Sequence, residues 1–287
     1  MKHEVIVEEA KAKVVYDIVT LSNLVEEAPI LNIIATNPGD GSSEFYIRQK
    51  IKDGEAFGVD VHVHRPEPDE IIPLLRSLRN NLRNKIIIQA PMGEGYPPFR
   101  KLLPLIHPLQ DVDGFSITME EISTMRTPEA FLGCPNFSPT AKGVLQLHLQ
   151  LEKNLKGRNV TVIGKGLTSG LPITMMFNQL GSTVTTVSTS TKEHARFKAA
   201  FTADTIVSCA GAPVNLLDPK LFLGKLCINV GMRRVAGELV GDFDYEAIKD
   251  RAHFINPVKG STGKLTTLNL IFNCYLSQMK CEGGRYE

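Results

Sequence analysis

Asn159-Val160-Thr161-Val162-Ile163-Gly164-Lys165-Gly166-Leu167-Thr168-Ser169-Gly170 is the stretch that decides the architecture. Four consecutive β-branched residues run straight into a glycine turn, and Leu171-Pro172 then open a helical pattern. Strand, glycine turn and helix in that order begin a dinucleotide-binding βαβ unit. The glycines let the backbone approach a pyrophosphate closely, and the unpaired N–H groups of the helix start stabilise its charge. A tight turn without a ligand is the competing reading, and the strand before and helix after weigh against it.

Working outward from that turn, STVTTV, DTIVSC and KLCINV add three more strands with helices between them, which predicts a second, smaller doubly wound sheet. Where STVTTV ends, a NAD-binding protein would usually present an acid to the ribose, but the chain reads Ser188-Thr189-Ser190-Thr191-Lys192. Hydroxyls and a cation suit a 2′-phosphate, and Lys165 could supply a second cation, so the expected cofactor is NADP, with NAD possible. The alternative is a solvated loop rich in Ser and Thr.

The first half alternates in the same manner. It predicts a helix over about residues 7–26, a strand in LNIIAT, a helix from Ser42 to about Phe57, a strand in VDVHVHR, an amphipathic helix in DEIIPLLRSLRNNL and a buried strand in NKIIIQAP. Ligands of such sheets bind at the carboxyl ends of the strands. Tyr46 and Lys50, four residues apart, share one helix face near those ends, and a lysine shielded from water can exchange protons at neutral pH. A solvated helix face is the plainer reading of that pair. Gln89 closes a buried strand, and Asp111 and Asp113 sit in the turn DVDGF, where a carboxylate could hold the N–H groups of a pterin. Each of these has its own structural explanation, as strand cap or turn residue, but together they converge on one edge.

Between about Pro104 and Pro139 the pattern weakens, which marks the passage between domains, and TGKLTTLNLIFNCYLSQMK reads as one long terminal helix. The 287 residues are enough for two cores and a cleft, and 32 basic against 31 acidic residues favour neither nucleic acid nor an anionic membrane as partner. The amino-terminal segment lacks the apolar core of a secretory signal and no stretch approaches membrane-spanning length, so the cytoplasm is expected. Five cysteines without a CxxC pair read as reduced core thiols, with no metal site.

Over nearly its whole length the chain resembles the bifunctional methylenetetrahydrofolate dehydrogenase/cyclohydrolase family. SSEFYIRQKIKDGEAFGV is similar to the family's substrate helix, IIIQAPM to its QLPLP strand end, DVDGF to its acidic turn, and VIGKGLTSGLP to its GRSxxVGxP turn. FSPTAKGV, DTIVSCAGAP, CINVGMRR, GDFDYEAI and NPVKGSTGKLTTLNL continue the series. The resemblance implies Lys50 as the main catalytic group, Tyr46 against the pterin, Gln89 orienting the lysine and Asp113 holding the ring, with Gly164, Lys165, Gly166, Ser188, Thr189 and Gly231 at the cofactor. It further implies an α/β protein with a folate-binding catalytic domain over residues 1–138, a Rossmann-like NAD(P)-binding domain over 139–266, and a terminal helix, 267–287, packing back on the first. A homodimer acting on a small folate substrate follows from the same likeness. The implied activity is oxidation of 5,10-methylenetetrahydrofolate with NADP, then hydrolysis of the methenyl form to 10-formyltetrahydrofolate.

The departures from the family pattern cluster around the cofactor. Lys165-Gly166 replaces its Arg-Ser, Ser188-Thr189 its His-Ser, and Lys259–Thr266 its PGGVGPMT loop, with two prolines lost and two cations gained. Three other readings therefore stand beside the favoured one: a relative that keeps only the cyclohydrolase step, a non-catalytic folate or nucleotide-binding regulator, and an unrelated Rossmann dehydrogenase that would explain the second half alone.

Overall fold

The computed structural model describes residues 2–37, 39, 41–214 and 218–284. In chain order the helices are α1 (Lys2–Ser22), α2 (Gly41–Ala56), α3 (Ile71–Arg79), α4 (Phe99–Leu102), α5 (Met119–Thr124), α6 (Pro128–Leu132), α7 (Pro139–Leu151), α8 (Gly170–Gln179), α9 (Glu193–Thr202), α10 (Tyr245–Ile248) and α11 (Thr262–Cys281). The strands are β1 (Ile30–Ala35), β2 (Asp60–His64), β3 (Asn84–Gln89), β4 (Asn159–Ile163), β5 (Thr183–Val187), β6 (Thr205–Ser208), β7 (Leu226–Asn229), β8 (Met232–Val235), β9 (Glu238–Gly241) and β10 (Phe254–Ile255).

The chain divides into two compact units. One comprises Met1–Ala12, Met119–Phe131 and Thr140–Thr266; the other comprises Lys13–Thr118, Leu132–Pro139 and Thr267–Glu287. Residues 1–12 and 119–131 thus group with the glycine turn, although they precede it far upstream.

In the unit that holds Lys50, three parallel strands lie in the order β2-β1-β3, with Ile34 opposite both His64 and Ile88. Leu31 to Ala35 are buried without alternation, the pattern of a parallel strand covered on both faces. Ile34, Ile86 and Ile88 pack under Ile71 and Leu75 of α3 and against Leu102 and Ile106. Because β2 and β3 flank β1 on opposite sides, the connections diverge at the carboxyl end of β1, the kind of point where such sheets bind ligands. The terminal helix packs back on this unit: Asn273 donates to the carbonyls of Val112 (3.0 Å) and Phe137 (2.9 Å), Tyr275 to that of Phe57 (2.5 Å), and Thr267 to the carboxylate of Asp53.

The other unit carries a five-stranded parallel sheet in the order β10-β7-β6-β4-β5. It is larger than the first sheet, where the sequence had suggested a smaller one. The short strand β10 escaped the sequence pattern because only two residues pair. Among the described residues a 3₁₀ turn at Pro219–Phe222, in place of an α-helix, lies between β6 and β7. The stretch after β7 forms an antiparallel hairpin, β8–β9, whose two-residue loop has Ala236 at φ 49° and Gly237 at φ 84°. Two consecutive left-handed residues give a turn whose twist matches the strands. Here β5 and β6 diverge from β4, so the turn after β4 again occupies the switch point.

Candidate active site and nucleotide cavity

Lys50 sits on α2, the helix that follows β1, with only 9% of its surface exposed. Its Nζ donates to Gln89 Oε1 at 2.8 Å, and Gln89 is the last residue of β3. The other end of that amide is committed as well, because Nε2 donates to the Ala90 carbonyl at 2.9 Å. The amide orientation is thereby set, and its oxygen faces the lysine. Burial pushes the Lys50 pKa down from the ordinary lysine value, while the charge of Asp113 pulls it back up.

The two aspartates of DVDGF divide the work. Asp111 turns into its own loop and accepts from the backbone N–H groups of Asp113 (3.2 Å), Gly114 (3.0 Å) and Ser116 (2.5 Å). Gly114 at φ +83° completes the turn, and a side chain there would also strike the Ser138 nitrogen at 2.6 Å. The loop so fixed presents Asp113. Part of Asp113 remains open, yet withdrawal from water lifts its pKa to about 6, against the attraction of Lys50 and with the repulsion of Asp111. Tyr46 lies one turn before Lys50 on α2, half-buried, its ring edge-on to Phe45 with centroids 5.7 Å apart. The structure therefore joins Lys50 to Gln89 by a hydrogen bond and to Asp113 by charge, with Tyr46 on the same helix face.

In the other unit, Gly164, Lys165, Gly166, Ser188 and Thr189 all line one cavity of about 670 Å³. Gly164, at φ +106°, turns the chain after β4, and the start of α8 rides directly on it. A Cβ on Gly170 would come within 2.2 Å of the Gly164 carbonyl oxygen, so no larger residue fits there without moving backbone. Gly166, by contrast, has open space around it, room for a ligand atom to approach. Gly231 is not among the lining residues; it is small because Asp242 presses on it, with Oδ2 2.1 Å from where a Cβ would sit. Its close packing on Asp242 accounts for a glycine at this position.

Sequence reasoning missed Glu193, Arg196, Phe197 and Cys209 in this lining. The signal was there, since α9 begins four residues past Thr189 and its first turn faces the same space. Asp242 was quoted only inside a longer match. It is buried, and its Oδ2 accepts from Ser208 Oγ (2.7 Å), Ala210 N (2.8 Å) and Gly211 N (3.3 Å), fixing the turn after β6 that forms one wall. Burial and the charge of Asp242 push the Cys209 thiol pKa far up, so it lines the wall as a neutral group.

Among the described residues no group of His, Cys, Asp or Glu could hold a metal ion, and no helix is long and apolar enough to cross a membrane. None of the five cysteines is in a disulfide.

Residues 138–282 match the family described as tetrahydrofolate dehydrogenase/cyclohydrolase, NAD(P)-binding domain. The bifunctional protein FolD of Lactobacillus acidophilus is 30% identical over 271 residues, covering 92% of each chain. That of a Hydrogenobaculum strain is 29% identical over 254 residues, 86% of this chain and 88% of the other. Among solved structures, the FolD methylenetetrahydrofolate dehydrogenase/cyclohydrolase of Campylobacter jejuni superposes with a TM-score of 0.81 at 25% identity, over 95% of this chain and 98% of that one. The Trypanosoma brucei enzyme, solved with NADP and an inhibitor, shares the fold with a TM-score of 0.81 at 23% identity over 94% and 96%.

Proposed function

The chain belongs to the tetrahydrofolate dehydrogenase/cyclohydrolase family, and from that premise we propose that it oxidises 5,10-methylenetetrahydrofolate with NADP and hydrolyses the methenyl product to 10-formyltetrahydrofolate. The observation that carries the reading is the 2.8 Å bond from Lys50 to Gln89. A buried lysine aimed by a fixed amide is what proton transfer at one carbon requires.

Water adds to the methenyl carbon of the cation and loses a proton; the hydroxyl of the adduct then loses its proton as the formyl C=O forms, one C–N bond breaks, and the departing ring nitrogen takes up one proton. The net change is addition of one water and release of one proton. Lys50 moves those protons, and its lowered pKa brings it closer to neutral pH, where exchange is efficient. Gln89 holds the amine in line, Asp113 accepts from the pterin N–H groups, and Tyr46 stacks on the ring system.

The glycine turn and its cavity suit a dinucleotide. The turn from Gly164 to Gly166 lets the backbone approach the ligand, while Lys165, Ser188, Thr189 and Arg196 offer cations and hydroxyls to a 2′-phosphate; Glu193 is the one acid among the described residues of the lining. When bound, the nicotinamide accepts the hydride from the methylene bridge. We infer a substrate domain over residues 1–138 and 267–287 and a cofactor domain over 139–266, with residues 1–12 and 119–131 clustering by contact with the cofactor unit. We also infer a homodimer in the cytoplasm, without nucleic acid as partner; the net charge of +1 and the five free cysteines support the last two points.

A cyclohydrolase-only reading is favoured by one feature, the replacement of the family's proline-rich loop by Lys259–Thr266. Purified protein mixed with 5,10-methylenetetrahydrofolate and either nicotinamide cofactor separates the two. Absorbance of reduced NADP plus hydrolysis of methenyl folate is the expected result; hydrolysis alone selects the second reading, and loss of both defeats the assignment.

A further inference from the structure

Lys85 is fully buried, at 0% exposure, near the start of β3. Its Nζ donates to the Leu82 carbonyl at 2.6 Å and to Cys281 Sγ at 3.6 Å, and the Cys281 thiol itself points to the same carbonyl at 4.0 Å. No carboxylate ion pair accompanies this buried amine among the described contacts, although buried ammonium groups are ordinarily paired. Burial drives its pKa down, which favours the neutral, nucleophilic amine. Cys281 ends α11 and keeps part of its surface open, so a small oxidant can reach it. Amine and thiol thus face each other across one hydrogen bond, from elements 196 residues apart in sequence.

We propose that Lys85 and Cys281 form an oxidative modification site, in which a hydroperoxide converts the thiol to a sulfenic acid and the Lys85 amine then displaces water to give a lysine–cysteine sulfenamide. In the first step the peroxide O–O bond breaks, the sulfur is oxidised to S–OH, and the peroxide is reduced to water or an alcohol. In the second, the nitrogen lone pair attacks sulfur, the S–O bond breaks, hydroxide leaves with the amine proton as water, and an S–N bond remains. Sulfenic acids condense with nitrogen nucleophiles in this way, and thiols reverse the product. Torsions of the long lysine stem and of the Cys281 side chain close the remaining gap. The bond would staple β3, whose far end carries Gln89, to the terminal helix.

The test is hydrogen peroxide treatment of the reduced, folded protein, alkylation, trypsin digestion and mass spectrometry. The expected product is the peptide from Asn84 to Arg100, uncut after Lys85, joined to the peptide beginning at Cys281, and lighter by two hydrogens than their sum. Dithiothreitol should abolish it, and it should be absent from Lys85→Met, from Cys281→Ser and from protein oxidised in urea. Cys281 recovered from the wild-type protein as sulfinic acid, as a disulfide, as unreacted thiol, or in a bridge that retains oxygen would overturn the proposal.

Discussion

The two ligand regions follow the same topological rule and differ in how much each residue carries. At the carboxyl end of β1 and β3 the site rests on a few groups: the buried Lys50, hydrogen-bonded to Gln89, and the partly open Asp113, with Lys50 and Asp113 each shifted by withdrawal from water and by the other's charge. At the carboxyl end of β4 the cavity is broad and open, and its polar lining is spread over Lys165, Ser188, Thr189, Glu193 and Arg196. A site built on one buried lysine, proposed above as the proton carrier, tolerates little change. One built on glycine clearance and scattered hydroxyls can lose an individual side chain and still bind. The departures from the family pattern fall where that tolerance is greatest, around the nucleotide.

The sharpest way to break the contrast is Lys50→Met. It keeps the apolar stem and removes the ammonium, so the fold should persist while methenyl hydrolysis falls by about 100-fold or more, the ordinary worth of a positioned general acid–base. Circular dichroism and NADP binding, followed by fluorescence, should be unchanged. Hydrolysis within a few-fold of wild type would remove the lysine from the chemistry.

Gly170→Ala strikes the other region through backbone. Its Cβ would lie 2.2 Å from the Gly164 oxygen, so either the turn or the start of α8 must shift. Forced overpacking of this kind costs about 1–3 kcal/mol, and the displaced N–H groups should weaken nucleotide binding by at least tenfold. Calorimetric titration with NADP checks this. Cyclohydrolase activity, resting on the other unit, should survive; if both activities fall together, the two regions are less independent than their residues suggest.

Legibility in the sequence follows the same division. Continuous apolar runs made β1, β3, β4 and β6 readable, and four-residue spacing placed Tyr46 and Lys50 on one face of α2. The Lys50–Gln89 bond was legible only through a resemblance, because no local pattern couples a helix residue to a strand end 39 residues later. Arg196 was overlooked since a basic residue on a polar helix looks solvated until the helix start is seen against the cavity. At Gly231 the sequence could not show the packing on a buried carboxylate, because a glycine needed there has no mark that separates it from one needed for a ligand. The strand β10 and the β8–β9 hairpin were missed for brevity, two and four residues per strand giving too little periodicity.

The pH dependence sharpens the account of the first region. Burial lifts Asp113 to about 6, so its folded pKa stands above its unfolded value. The native state therefore holds the proton more tightly, and this group's contribution to stability is greatest below the ordinary aspartate range and declines as pH rises through about 6. On the proposed role of Asp113, substrate binding runs the opposite way, because pterin N–H groups would need the ionised carboxylate. kcat/KM for methenyl hydrolysis should fall severalfold as pH drops through about 6. In Asp113→Asn that acid limb should disappear, with a lower plateau. An unchanged limb would assign the titration to another group.

The smallest effect belongs to Arg196→Ala, and it tests whether the nucleotide region is dispersed in energy as it is in space. Arg196 lines the cavity beside Ser188 and Thr189, and Glu193, three residues earlier on α9, lines the same cavity with the opposite charge. A single charge-assisted hydrogen bond to a phosphate is worth about 1.5–3 kcal/mol, and competition from Glu193 places the net effect at the low end. The preference for NADP over NAD, measured as the ratio of kcat/KM values, should therefore drop by about tenfold, since about 1.4 kcal/mol is a factor of ten. NAD turnover should hardly change, because NAD has no 2′-phosphate to lose a contact. A loss of a hundredfold or more would mean that one arginine dominates this region as one lysine dominates the other. Equal losses with both cofactors would show instead that Arg196 supports the cavity wall and does not read the phosphate.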